Sequence, residues 1–119
     1  MIIPLLFAVA VAGDWTGTSL CTDLKALPAC HDEVVVYHFT PKSGNVVHVA
    51  ADKIVDGKPQ FMGEFDMTQD GSRLTAELPN RRGDRSLREF NIDGDHLTGT
   101  LKLLPGGTVV RKIEARRKQ

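Results

Sequence analysis

The 119-residue chain balances fifteen Lys+Arg against fifteen Asp+Glu, so its formal net charge is zero and its length allows one domain. An apolar fraction of 41% with 25% charged residues excludes a disordered chain, and the absence of a basic excess argues against a dedicated nucleic-acid binder. Two cysteines permit one disulfide at most, so the fold rests mainly on its own core.

Residues 2–12 are uncharged and end in Ala10-Val11-Ala12, the pattern of an apolar signal-peptide segment with a small-residue cleavage site. The expectation is a leader over residues 1–12, with a truncated basic region, and a single domain over residues 13–119. A buried first strand is the alternative. A membrane helix needs roughly 20 apolar residues, and this segment is too short. Export to a secreted or periplasmic location would place Cys21 and Cys30 in an oxidising compartment, where they are expected to form a disulfide. Closing so short a loop contributes roughly 2.5–3 kcal/mol in the loop-entropy model. No second Cys or His pair completes a zinc set.

No segment holds a helical apolar period for three turns. Eight short β-rich runs recur instead: Trp15–Leu20, Glu33–Phe39, Val46–Val55, Gln60–Thr68, Arg73–Leu78, Ser86–Ile92, His96–Leu103 and Thr108–Arg116. Turn formers separate them, among them Lys42-Ser43-Gly44-Asn45, Asp56-Gly57-Lys58-Pro59, Gln69-Asp70-Gly71-Ser72, Asp93-Gly94-Asp95 and Leu104-Pro105-Gly106-Gly107. Several runs alternate: Phe61, Gly63, Phe65 and Met67 share one face, as do Leu74, Ala76 and Leu78, and Leu97, Gly99, Leu101 and Leu103. One apolar face per strand with short connections predicts an all-β fold, an eight-stranded antiparallel up-and-down barrel. A two-sheet β-sandwich is the alternative, although it usually needs longer crossovers.

Gly13-Asp14-Trp15 at the start of the first run resembles the G-x-W signature of lipocalins and the wider calycin group. That resemblance implies a basic side chain from the last strand packed across Trp15, with Arg117 as the candidate and Arg116 beside it. Val109-Val110-Arg111-Lys112-Ile113 is similar to the interior Arg-x-Tyr of intracellular fatty-acid-binding proteins, with Ile113 in place of the Tyr. As a whole the chain resembles small exported bacterial lipocalin-like domains. The resemblance implies a ligand-binding barrel, open at the end away from Trp15.

Parity places the 21–32 loop, Asp56–Pro59, Pro79–Arg85 and Leu104–Gly107 at one end, and the remaining turns and both termini at the other. The inward set is predicted to include Tyr37, Phe61, Phe65, Met67, Leu74, Phe90, Ile92, Leu97, Leu101 and Arg111. Of these, Tyr37, Phe61, Phe65, Phe90, Leu101 and Arg111 are the candidate ligand contacts, because an eight-stranded barrel is either filled by side chains or holds one small ligand. Gly63 and Gly99 would leave space. Arg111 shares parity with Val109 and Ile113, and a buried Arg must pair, with Glu33 or Tyr37, or meet a ligand anion.

At the disulfide end, His31 and Glu33 share a face, while Arg81, Arg82 and Arg85 crowd one loop, with Arg88 just beyond. His38, His48 and His96 show no metal-ligand spacing and read as surface or satisfied positions. No activated nucleophile and no phosphate-cradling loop stands out, so neither a catalytic residue nor a cofactor is expected. The leading expectation is a monomeric, exported barrel that binds a small hydrophobic or amphipathic anion. The alternative is a protein-interaction or inhibitor domain acting through the arginine and disulfide loops. A metal-dependent enzyme around His31 and Glu33 is the third reading, and the weakest.

Overall fold

A computed structural model of the chain describes residues 9–79 and 83–118. Eight antiparallel strands follow one another around a closed barrel: β1 (Gly13–Cys21), β2 (Glu33–Pro41), β3 (Val46–Val55), β4 (Lys58–Asp70), β5 (Arg73–Pro79), β6 (Arg85–Asp93), β7 (His96–Leu104) and β8 (Thr108–Arg117). Each strand pairs with its sequence neighbours, and β1 closes on β8 with Trp15 opposite Arg117 and Cys21 opposite Arg111. The eight expected runs therefore each correspond to a strand, and the barrel reading holds over the sandwich. Among the described residues no helix is long and apolar enough to cross a membrane.

Alternation explains the packing. Val35, Tyr37 and Phe39 of β2, Val47, Val49 and Ala51 of β3, and Phe90 and Ile92 of β6 point inward and are buried. The aromatic rings concentrate toward the Trp15 end, where Trp15 lies 6.0 Å from Phe39 and Phe39 stacks on Phe90 at 5.9 Å. Each such side chain removed from water contributes about 1.5–3 kcal/mol. Two glycines let this half close tightly. A Cβ on Gly17 would sit 1.8 Å from the Glu114 carbonyl oxygen, so only glycine lets β1 lie this close to β8. A Cβ on Gly99 would meet the Phe90 ring at 2.5 Å. Gly99 therefore seats an aromatic ring, and the space expected beside it is filled.

The alternation fails at two places. The β7–β8 register shifts between Leu101 and Lys102: Leu101 faces Arg111 but Lys102 faces Val109, so Val110 is an extra, buried residue on β8. Arg111 therefore keeps the expected parity with Ile113 but not that with Val109. The β3–β4 register shifts between Ala51 and Asp52: Ala51 faces Gly63, but Asp52 faces Phe61, so Met62 is an extra residue on β4. One inserted residue reverses the parity beyond it. Phe61, expected inside, is consequently 65% exposed and belongs to the outer surface with Asp52.

The chain before β1 closes the Trp15 end. Residues 1–8 of the expected leader lie outside the described residues. Val9–Ala12 run beneath the barrel, with Val11 buried and its carbonyl oxygen accepting the Trp15 indole N–H at 3.0 Å. Gln69 Nε2 donates to the Val9 carbonyl at 2.7 Å, and Arg117 donates to the carbonyls of Ala10 and Ala12. The Arg117 guanidinium lies 4.5 Å over the Trp15 ring and also donates to Asp95. Arg117, rather than Arg116, makes the contact implied by the G-x-W resemblance.

Candidate functional site

Packing is not uniform along the barrel axis. Above Tyr37 the large side chains give way to a cavity of about 360 Å³, within the size range of small-molecule sites. Its wall is formed by Ser19 of β1, Glu33, Val35 and Tyr37 of β2, Ala51 of β3, Met62–Phe65 of β4, Leu78 and Pro79 of β5, Arg88 of β6 and Arg111 of β8. The lining is thus mixed, with Val35, Ala51, Met62, Phe65, Leu78 and Pro79 beside the polar groups of Ser19, Glu33, Tyr37, Glu64, Arg88 and Arg111. A Cβ at Gly63 would have no atom within 4 Å, so this glycine keeps one side of the cavity bare.

Arg88 is the unexpected member. Its guanidinium lies 5.0 Å from the centre of the Phe65 ring, and its buried Nε has no hydrogen-bond partner among the described residues. Burial lowers its affinity for its own proton, the nearby Arg111 adds to that shift, and the Glu33 carboxylate acts against it. An arginine stays protonated even so. The cavity therefore holds a cation with an unused donor, a costly arrangement unless an acceptor arrives.

Arg111 is satisfied by contrast. It donates to the Ser19 hydroxyl at 3.1 Å and to the His31 carbonyl at 3.0 Å, and it pairs with Glu33 at 3.4 Å. The lining carries two guanidinium groups, Arg88 and Arg111, and two carboxylates, Glu33 and Glu64. Glu33 pairs with Arg111 and the exposed Glu64 with His48, which leaves Arg88 without an ion-pair partner among the described residues. Burial pushes the Tyr37 hydroxyl up in pKa, so it remains a neutral donor at the cavity floor.

The other candidate residues are distributed as follows. Tyr37, Phe65, Glu33 and Arg111 come together in the cavity wall. Phe90 is buried below it, 5.2 Å from Tyr37, and is core. Leu101 is half-buried outside the lining, and Phe61 is on the outer surface. His31 takes part through its backbone carbonyl. Arg85 is exposed, pairs with Glu77 at 2.6 Å and is not part of the cavity lining, while Arg81 and Arg82 lie outside the described residues. Among the described residues no three His, Cys, Asp or Glu side chains are placed to hold a metal. A second cleft of about 440 Å³ lies between the disulfide loop and Lys53–Val55, and Arg111 borders it too.

Cys21 and Cys30 are joined in a disulfide with Cα atoms 6.1 Å apart. Its loop is laced to the barrel by Cys21 N–H donating to Asp32 at 2.8 Å and by Thr22 donating to the carbonyls of Val109 and Val110. These ties set the position of the His31 carbonyl, and through it the orientation of Arg111.

Arg88 was legible in principle. Ser86, Phe90 and Ile92 are buried, and Arg88 shares their parity on β6, so the same alternation that placed Phe90 inside also places Arg88 there. Its nearness to the Pro79–Arg85 loop disguised it as one of a group of solvated charges.

No protein-family model matches the chain, and no curated protein matches it. Among solved structures it resembles a redesigned β-barrel, with a TM-score of 0.64 and 18% identity over 91% of each chain. At that identity the likeness establishes an eight-stranded barrel fold and nothing about activity.

Proposed function

We propose that this protein is an exported, lipocalin-like barrel that binds a small amphipathic anion in the upper half of its interior. Arg88 carries the reading: it is a half-buried cation on a cavity wall whose Nε–H lacks an acceptor among the described residues. A carboxylate, sulfonate or phosphate would supply that acceptor, and the apolar wall of Val35, Phe65 and Leu78 would take the rest of the molecule. Of the two roles open to Arg111, pairing within the barrel or facing a ligand anion, this reading gives it the first, as a support: Ser19, Glu33 and the His31 carbonyl hold it in place. The G-x-W start, the arginine stacked on Trp15 and the disulfide support the lipocalin-like and exported parts of the proposal.

Fluorescence titration with anilinonaphthalene sulfonate, set against the uncharged N-phenylnaphthylamine, tests this reading. A hydrogen bond to a charged group contributes about 1.5–3 kcal/mol, so Arg88→Met is expected to weaken the sulfonate by roughly tenfold to a hundredfold. The neutral probe should bind the variant no worse than the parent. Equal binding of both probes to both proteins would remove Arg88 as the anion ligand, and the function with it.

A further inference from the structure

The wall of this cavity has a break. β4 is thirteen residues long, yet its ladder to β5 consists of three pairs, Thr68 with Thr75, Gln69 with Leu74 and Asp70 with Arg73. Continued in the same register, Asp66 would face Glu77 and Phe65 would face Leu78, but neither pair forms. β5 meanwhile pairs with β6 over its whole length, from Arg73 to Pro79. The barrel is therefore zipped at the Trp15 end and parted above it. The parted edges are the same segments that line the cavity: Met62–Phe65 on one side, Leu78 and Pro79 on the other.

The chemistry of the two edges suits passage of a small molecule. Met62, an unbranched and adaptable side chain, is 39% exposed at the bulge, and bare Gly63 follows it. The exposed carboxylates of Glu64 and Asp66 lie along the same edge, a common protection of unpaired strands against pairing with another chain. On the far side of the barrel the corresponding rim is laced by the disulfide loop, with Arg111 donating to the His31 carbonyl and Thr22 to the Val109 carbonyl.

The geometry points to the β4–β5 seam as the entrance to the cavity. An amphipathic anion passes between Met62 and Leu78 charged end first, reaches Arg88, and leaves its apolar end against these two side chains. The entrance rests on the anion-binding reading above, and the test separates the two.

Both native cysteines are consumed in the disulfide, so thiols introduced by Asp66→Cys and Glu77→Cys, the first outward-facing register positions past the ladder, can be joined selectively by a short bis-maleimide. The comparison protein is the same double variant with each thiol capped by a mono-maleimide. Stopped-flow uptake of anilinonaphthalene sulfonate is expected to be at least tenfold slower in the bridged protein. Equal uptake rates would overturn the seam and assign entry to the cleft beside Lys53–Val55, leaving the anion site intact. Failure of the capped protein to bind the probe at all would remove the anion site and the entrance together. Hydrogen exchange supplies a readout that needs no ligand. The amides of Phe61, Glu64 and Asp66 should exchange far faster than those of Val47 and Val49 in the neighbouring ladder. Equal protection would mean a seam closed in solution, or one filled by a strand from another chain, and either result overturns the entrance.

Discussion

Arg88 and Gly17 show how one residue type sets what each half of the barrel can do. In the upper half a long cation points into a space it does not fill, which leaves a donor for a ligand. In the lower half the absence of a side chain lets two strands touch. The hypothetical Gly17 Cβ would overlap backbone atoms of Glu114 and Ala115, which cannot rotate away as a side chain could. Gly17→Ala is therefore expected to destabilise the fold by about 3 kcal/mol, the upper end of the overpacking range. Urea unfolding followed by the fluorescence of the single Trp15 reads this directly, and an unchanged midpoint would show that β1 and β8 are further apart than described. Neither glycine contact was visible in the sequence, because close approach depends on which strand lies alongside. The disulfide was legible, because two cysteines close in sequence have few other fates in an oxidising compartment.

Among the elements, strand identity could be read from alternation and turn chemistry, since each strand has one buried face and most connections are short. β4 marks the limit of that reading. Phe61, Gly63, Phe65 and Met67 alternate perfectly as text, yet the extra residue at Met62 puts Phe61 outside while Phe65 and Met67 stay inside. No local signal announces such a bulge, because it is set by the partner strand. The segment before β1 is a second case. Small apolar residues suit both a cleavage site and a barrel cap, and Val9–Ala12 make the contacts of a cap. Val11→Ala removes two methyl groups from a buried site, and at about 0.8 kcal/mol per carbon plus a cavity term should cost about 2 kcal/mol. A red shift in Trp15 emission should accompany that loss. Unchanged emission and stability would mean that the segment does not stay seated.

At the scale of the whole molecule, a band of imidazole–carboxylate contacts staples the outside of four strands. His38 on β2 is held between Asp14 of β1 at 2.7 Å and Asp52 of β3 at 2.9 Å. His48 on β3 meets Asp66 at 2.8 Å and Glu64 at 3.3 Å, both on β4, with Lys42 also on Asp66. Hydrogen bonds to Asp52 and Asp14 raise the pKa of His38, and those to Asp66 and Glu64 raise that of His48. In the unfolded chain both histidines titrate near their ordinary value of about 6.5. A folded value above that one means that folding favours the protonated form. The contribution is therefore complete below about pH 6.5 and is lost as the pH rises through the folded values. Solvent screening keeps an exposed pair such as His38 with its carboxylates to about 1 kcal/mol or less. The urea midpoint should accordingly fall between pH 6 and pH 8.5, and the combined His38→Gln and His48→Gln variant should flatten that slope. An identical slope in the two proteins would assign the dependence to other groups. Because the β3–β4 staple lies on the strand that borders the seam, its loss at high pH should also lower the hydrogen-exchange protection of Val47 and Val49 more than that of Trp15. The molecule would then loosen on its cavity side while its capped end stays shut.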